Sequence, residues 1–480
     1  MKLRSITLCL LILPASLWAA KPDKIKALSV TLDINTKAKA EPVKNRLMGY
    51  NILNYRTKRQ RDLVSKFDPV AMRFPCGVWG NFYDWETDTF TQHGDKHHKT
   101  KTYAPTLAKW KEMGYKGGFP GLSLLNSEKK KANGKGMDIV WLYNAAYDSP
   151  AQNVARMKDS IDKGFVVRDI ELGNEQFWLN QCSSKTITPK GYHEAATKIT
   201  KALKKANPEL RMSITLSWRD KHEEWNKIVA GDGKYFDAIS LHKYSGFNED
   251  KSDPKDQQQA LEKALAARLW LEESANYVRK FGPGKPIWMT EWGIDAGAGV
   301  KAAAALAMAD CYLYMFENQD VFDRANWFSV NGVSRSFLIF KEKRTLRYPL
   351  QKTAFACVHE IVRSVFEDSQ LLPTKVSSLK LSLDGNSIDM VTARAVIQAG
   401  KTKVLAVNLS DQPSKLALSL DKKSYKKPLT HHAMAFKDLS ELVVLDFEKN
   451  PLKPVSNAPS TITLPPYSVS VLSGFEGIGE

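Results

Sequence analysis

Residues 165–175 read FVVRDIELGNE, an apolar, β-branched run that ends in a glycine, an amide and a carboxylate. A short run of this kind without strict alternation is expected of a parallel strand covered on both faces. Seven more segments of similar character are RLMGYNIL (46–53), PVAMRFPCG (69–77), MDIVWLYN (137–144), RMSITLSW (211–218), YFDAISLHKY (235–244), KPIWMTEWG (285–293) and RANWFSVNG (324–332). Amphipathic helical segments lie between them. Ser149-Pro150 opens AQNVARMKDSIDKG and Thr188-Pro189 opens KGYHEAATKITKALKKANP, each placing a capping hydroxyl before a proline at the first helical position. QQQALEKALAARLWLEESANYVRKF, GVKAAAALAMADCYLYMFEN and PLQKTAFACVHEIVRSVF supply further helices. Strand-then-helix units repeated in this way predict an α/β fold, a (β/α)8 TIM barrel over residues 46–366. A doubly wound open sheet is the rival, but no Gly-rich phosphate loop follows the first strand.

Near residue 367 the pattern changes. SLKLSLDG, SIDMVTARAVI, KVLAVNLS, KLALSL, ELVVLDF and SVSVLSG are short strands separated by turn residues, which predicts a C-terminal all-β sandwich over residues 367–480. Within residues 21–45, the stretch ALSVTLDINT (27–36) is a candidate further strand of that sandwich. No repeat is visible at a spacing of about 20–50 residues.

Composition bounds the class. At 480 residues the chain is long for one core, and 43% hydrophobic with 10% aromatic residues is globular rather than disordered. Residues 1–20 combine basic MKLR, apolar ITLCLLILPASLW and a small-residue end at Ala19-Ala20. That is the pattern of a secretory signal peptide, and it predicts a secreted or periplasmic protein. No later stretch approaches the apolar length of a membrane-spanning helix. Cys76, Cys182, Cys311 and Cys357 match no zinc or thioredoxin spacing. Cys311 and Cys357 lie in apolar helical patterns and read as buried free thiols, whereas Cys76 and Cys182, both just past strand ends, form a conceivable bonded pair. The formal charge of +18 has two readings. One is attraction to a polyanion such as a sulfated or uronic-acid polysaccharide. The other is dispersed, solvated lysine, as in Lys129-Lys130-Lys131 and Lys422-Lys423. Nucleic acid is a poorer account, because no basic helix or RNA-binding motif accompanies the charge.

In a (β/α)8 barrel, chemistry gathers at the C-terminal ends of the strands. The fourth strand ends in Asn174-Glu175 and the seventh in Thr290-Glu291-Trp292. Two carboxylates from different strands at one mouth suit glycosidic bond cleavage, which needs a proton donor for the leaving oxygen and a second carboxylate at the anomeric carbon. Arg73, on the second strand, is placed to hold a carboxylate ionised. His242 and Tyr244, on the sixth, fall near Glu291, where a tyrosine hydroxyl would orient the nucleophile. Asn81, Asn144 and Asn174 are candidate partners for sugar hydroxyls. Trp79, Trp85, Trp178, Trp218, Trp292 and Trp327 cluster at or beyond strand ends, where flat indoles suit sugar rings. A lone glutamate after a strand is ordinarily a solvated loop residue, and a lone tryptophan is ordinarily core. Coincidence is a poor explanation for both strand-end motifs together with Arg73 and His-x-Tyr. His93, His97 and His98 in HGDKHHK (93–99) read as a solvated basic loop rather than a metal site, since only Asp95 stands near them. His431-His432 reads the same way.

GNE on the fourth strand and TEW on the seventh resemble the two catalytic signatures of the clan A glycoside hydrolases. RFPCGVWGNFYDW (73–85) resembles the segment after strand two in the subgroup of arabinofuranosidases, heparanase-like glucuronidases and β-xylosidases, and LPPYSVSVLSG the last strand of their sandwich. The likeness spans residues 46–474, although outside these motifs it is one of pattern only. Cys76 stands where the related segments carry glycine. The resemblance implies a retaining mechanism with Glu175 as acid/base and Glu291 as nucleophile, and no cofactor. Asn174 would hold the hydroxyl beside the anomeric carbon. The charge opposite is expected to raise the pKa of Glu175 and keep it protonated for the first step. The expected substrate is a polysaccharide or oligosaccharide, with arabinofuranosidase-like exo-action and cleavage of an acidic glycan both open. The alternative from another class is a catalytically inactive, carbohydrate-binding barrel, against which the presence of both glutamates argues.

Overall fold

The computed structural model describes residues 27–51, 70–75, 77–91, 102–246, 256–295, 301–330, 338–340, 350–383, 386–441, 443–457 and 461–475, with positions 62, 65 and 67. The proposed signal peptide, Cys76 and the HGDKHHK loop lie outside them.

Parallel strands close into a barrel in chain order: Gly49–Asn51, Ala71–Phe74, Asp138–Tyr143, Asp169–Leu172, Arg211–Thr215, Ala238–Gly246, Ile287–Asp295 and Phe322–Trp327. Each overlaps one of the segments expected to be a strand; the sixth and seventh run two residues past the expected ends, and the eighth begins two residues before its expected start. Every residue of the second, fourth and eighth strands is buried, which is why these runs show no polar alternation. Helix starts follow the capping chemistry. Ser149 forms a reciprocal capping box with Gln152 ahead of Pro150–Asp162, and the Thr188 hydroxyl accepts from Gly191 N at 3.1 Å ahead of Pro189–Ala206.

The C-terminal region is built on a seven-stranded and a five-stranded sheet. Leu28–Ile34 runs parallel to Ser414–Leu420 and antiparallel to Thr374–Ser377, so the N-terminal segment supplies a strand of the sandwich, and Val30, Leu32 and Ile34 enter its core. The barrel helices Ala302–Glu317 and Ala354–Phe366 both lie against the seven-stranded sheet. That second surface explains why the first of them is apolar nearly all round. Cys311 and Cys357, on these two helices, are buried free thiols, as expected.

Four elements differ from expectation. SLKLSLDG stays off the two large sheets: its strand Lys380–Leu383 forms a separate two-stranded sheet with Asn386–Asp389. Residues 350–353, expected to open a helix, form the strand Leu350–Thr353, and the helix begins at Ala354. ELVVLDF does not join the sandwich: its strand Val444–Asp446 pairs antiparallel with Leu350–Thr353. The two partners lie far apart in sequence, and local periodicity carries no information about such a pairing. A sandwich strand absent from the expectation, Thr430–Ala435, pairs with Ser468–Ser473.

Candidate active site

The centre of the barrel mouth is Arg73, which is fully buried. Its Nε donates to Glu171 Oε2 at 2.6 Å, Nη1 to Glu291 Oε1 at 2.6 Å, and Nη2 to Asn174 Oδ1 at 2.7 Å and Glu171 Oε1 at 3.1 Å. One planar guanidinium thus fixes side chains from the fourth and seventh strands and from the loop that follows the fourth. Burial alone would lower the Arg73 pKa, but Glu171 and then Glu291 outweigh it and raise it. Glu171 is equally buried and also accepts from Thr290 Oγ1 at 3.0 Å. Burial pushes its carboxyl up, yet Arg73 and His242 bring it down to about 2.

Glu291 is held by two donors. Besides Arg73, the Tyr244 hydroxyl donates to Oε2 at 2.5 Å. A carboxylate with one oxygen on a guanidinium and the other on a phenol is oriented and charge-stabilised in the way a nucleophile requires.

Glu175 sits beyond the end of the fourth strand with φ of 39°, a left-handed conformation that is costly for a residue with a side chain. Gly173, with φ of 75°, turns the chain immediately before it, and a Cβ there would come within 3.1 Å of Gln176. The strained turn lifts the Glu175 side chain into the mouth, where it keeps 21% of its exposure. Gln181 Nε2 donates to Oε2 at 2.8 Å and His242 Nδ1 lies 3.2 Å from Oε1. The same nitrogen is 3.8 Å from Glu291 Oε2, and His242 Nε2 is 3.3 Å from Glu171 Oε1. One imidazole therefore faces three carboxylates. Burial would lower its pKa, but Glu291 first, then Glu171 and Glu175, raise it to about 9. The expectation of a raised Glu175 pKa is corrected accordingly. Burial does push it up, but His242 and then Gln181 and Arg73 lower it on balance. These shifts favour the proton on His242 over Glu175.

The other sequence-predicted residues separate into those at the mouth and those away from it. Asn174 is buried, with Oδ1 on Arg73 and Nδ2 on Gln181 at 2.7 Å. Asn81 is no sugar contact: fully buried, it clamps the Asn174 backbone, accepting from its N–H and donating to its carbonyl, both at 2.8 Å. Asn144 is also buried, and its Oδ1 caps the turn to Ala146 and Tyr147. Trp292 and Trp327 are 3% and 0% exposed and pack edge-on against each other in the barrel wall, so neither offers a face to a sugar. Trp178 is half-buried at the rim. Cys182 is a buried free thiol on the Gln176 carbonyl, not a disulfide partner of Cys76. His431 is buried and bonds Asn457, a structural contact within the sandwich. Glu171 and Gln181, and the bond from Thr290 to Glu171, are parts of the cluster that the sequence expectation did not include. Among the described residues, no group of three or more His, Cys, Asp or Glu is arranged to hold a metal ion, and no helix is long and apolar enough to cross a membrane.

Fold and site together define a (β/α)8 barrel with a C-terminal β-sandwich, carrying two strand-end carboxylates around a buried arginine. No family model matches the sequence, and no curated protein matches it. Solved structures do. A GH51 arabinofuranosidase from Xanthomonas axonopodis pv. citri superposes with a TM-score of 0.67 at 12% identity, over 93% of this chain and 99% of that one. A family 51 alpha-L-arabinofuranosidase from Bifidobacterium longum gives 0.69 at 15%, over 93% and 100%. A family 44 xyloglucanase from Paenibacillus polymyxa gives 0.60 at 14%, over 93% and 99%. The chain shares the two-domain fold of these proteins over nearly its whole length.

Proposed function

We propose that the chain is an exported, retaining glycoside hydrolase acting on a polysaccharide or its oligosaccharides, with Glu291 as nucleophile and Glu175 as acid/base. The observation that carries this reading is the placement of Glu175 and Glu291 against one ring nitrogen, at 3.2 and 3.8 Å. That bounds the two nearest carboxylate oxygens to at most about 7 Å apart, which is compatible with the roughly 5–5.5 Å of retaining enzymes. Arg73 and Tyr244 keep Glu291 aligned for attack on the anomeric carbon.

His242 supplies the proton that Glu175 needs. A sugar seated at the mouth covers the exposed part of Glu175, and desolvation of its carboxylate draws the proton across from Nδ1. Glu175 then protonates the leaving oxygen as the Glu291–carbon bond forms. Once Glu291 is esterified its negative charge is gone, and Glu175, again ionised, takes a proton from the water that releases the sugar. Arabinofuranosidase-like exo-action is supported by the RFPCG segment and by the names of the family 51 neighbours; action on an acidic glycan is supported by net charge. Export is supported by residues 1–20, and N-terminal sequencing of the exported protein should begin near Lys21.

The test is turnover on a panel of aryl α-L-arabinofuranosides, β-D-xylosides and β-D-glucuronides and on plant and algal polysaccharides. Glu291→Gln should lose activity by about 10³-fold or more, and Glu175→Ala should regain part of its loss with azide on an activated aryl glycoside. Undiminished turnover in Glu291→Gln would end this reading.

A further inference from the structure

On the Glu175 side of the mouth, the loop after the fifth strand brings two cations onto Trp178. Lys221 Nζ stands 4.5 Å and the Arg219 guanidinium 5.7 Å from the centre of the Trp178 ring, and Arg219 also covers Trp218 at 4.7 Å. Trp178 is tied to the acid/base loop, because its backbone N–H donates to the Glu175 carbonyl at 2.9 Å. His222 packs edge-on against the same indole, with ring centres 5.0 Å apart. Its pKa is lowered by burial, then by Lys221 and Arg219, while Glu175 pulls it up. One ring therefore feels the two cations and the acid carboxylate together.

Neither Arg219 nor Lys221 has a carboxylate within ion-pair distance among the described residues. The acidic residues of the same turn are engaged elsewhere: Asp220 bonds Tyr277, and Glu223 pairs with Lys227 at 2.7 Å; Glu224 adds its field to Lys227. Both side chains are exposed, and stacking on an indole biases the direction in which their charges point. With no anion paired to them among the described residues, they are suited to an external one.

We propose that Lys221 and Arg219, mounted on Trp178, form a leaving-group subsite for an anionic sugar residue, bearing either a carboxylate or a sulfate ester. The inference rests on the glycosidase reading, since Glu175 marks the leaving-group side only if it protonates the leaving oxygen. Trp178 then serves as the support of the cations, and the sugar is recognised through its charge.

Binding is measured on the inactive Glu291→Gln protein by affinity electrophoresis through gels containing polygalacturonate, carrageenan or neutral arabinan. Retardation by one of the polyanions above that by arabinan is expected; the polyanion that retards more identifies carboxylate or sulfate as the group bound. Adding Arg219→Gln and Lys221→Gln should raise the dissociation constant by about tenfold or more. Adding Lys422→Gln and Lys423→Gln, an equal charge change on the sandwich, should not. Equal weakening by the two double substitutions would reduce the effect to dispersed charge and overturn the subsite, as would equal retardation in neutral and anionic gels. Failure of the glycosidase reading shows separately, as absence of cleavage by the unsubstituted protein on every polysaccharide that retards it.

Discussion

The barrel carries a buried ionic cluster at each end, and the two are built to opposite rules. At the floor, where the strands begin, Asp169 accepts from Arg211 through both oxygens at 2.7 Å and from Arg324 at 2.7 Å. Asp323 accepts from Arg211 at 2.9 Å and pairs with Lys44 at 3.0 Å and with Arg46, while Arg168 and Asp138 close the ring on Asp169 and Arg324. Cations outnumber carboxylates there. Burial works against the charge of Asp169 and Asp323, but Arg324 and Arg46 respectively lead a set of partners that holds both well below the ordinary carboxylate range. Asp169 and Asp323 therefore keep their charge near neutral pH. At the mouth, Glu171, Glu175 and Glu291 face only Arg73 and His242 as cations among the described residues, so carboxylates outnumber cations even with His242 protonated. A cluster with fixed, over-supplied cations is scaffolding, whereas one short of a cation keeps a proton that can move.

Removing one partner from each cluster tests that contrast most severely. Arg73→Met leaves Glu171 buried without its guanidinium and Glu291 without one of its two donors. It should cost about 3–5 kcal/mol of stability and abolish turnover. Asp169→Asn should cost a similar amount by urea unfolding, but kcat/KM at a temperature where the variant stays folded should equal that of the parent. If Asp169→Asn lost turnover as Arg73→Met does, the division between scaffold and chemistry would collapse.

An alkaline loss of stability distinguishes the mouth from the floor. The folded pKa of His242, about 9, lies above its ordinary 6.5, so the stability it contributes is complete below about pH 6.5 and is lost as pH rises through 9. Asp169, Asp323 and Glu171 are shifted down, so their contribution is present above the ordinary carboxylate range and is lost only in acid. Alkali therefore loosens the mouth alone, whereas acid loosens both ends. Urea midpoints between about pH 6 and pH 10 should reveal a loss of up to roughly 3 kcal/mol that His242→Gln removes. An unchanged alkaline loss in that variant would mean that His242 is not the group that titrates.

Both clusters begin on the stretch FVVRDIELGNE, and its legibility was uneven. The strand was readable because burial on both faces demands an apolar run. Glu175 was readable because strand ends are where barrels place chemistry. Asp169 and Glu171 went unused, although acidic residues two apart in a buried strand point to one face and so mark a lined interior. The same alternation explains the tryptophans. Glu291 turns into the mouth, so its neighbour Trp292 must turn outward into the barrel wall, where it meets Trp327. Nearness to a strand end says nothing of which way a ring faces. Asn81 was legible as a polar group near the site but not as a clamp on the Asn174 backbone, because that role depends on two loops meeting.

Gln181 is the sharpest instance of a residue that only the folded loop discloses, and it yields the smallest predicted effect. It sits in the short 3-10 turn Leu179–Gln181 and is 6% exposed. It accepts from Asn174 Nδ2 at 2.7 Å and donates to Glu175 at 2.8 Å, which extends the chain that starts at Arg73 out to the Glu175 carboxylate. Its donated bond favours the charged form of Glu175. Gln181→Leu should therefore raise the Glu175 pKa, move the alkaline limb of the kcat profile upward and lower kcat by about tenfold, with KM little changed. The direction of the limb decides the interpretation, because a merely loosened loop would lower kcat and leave the limb in place. A limb that moves downward would mean that the proton shared by His242 and Glu175 is not what sets the rate.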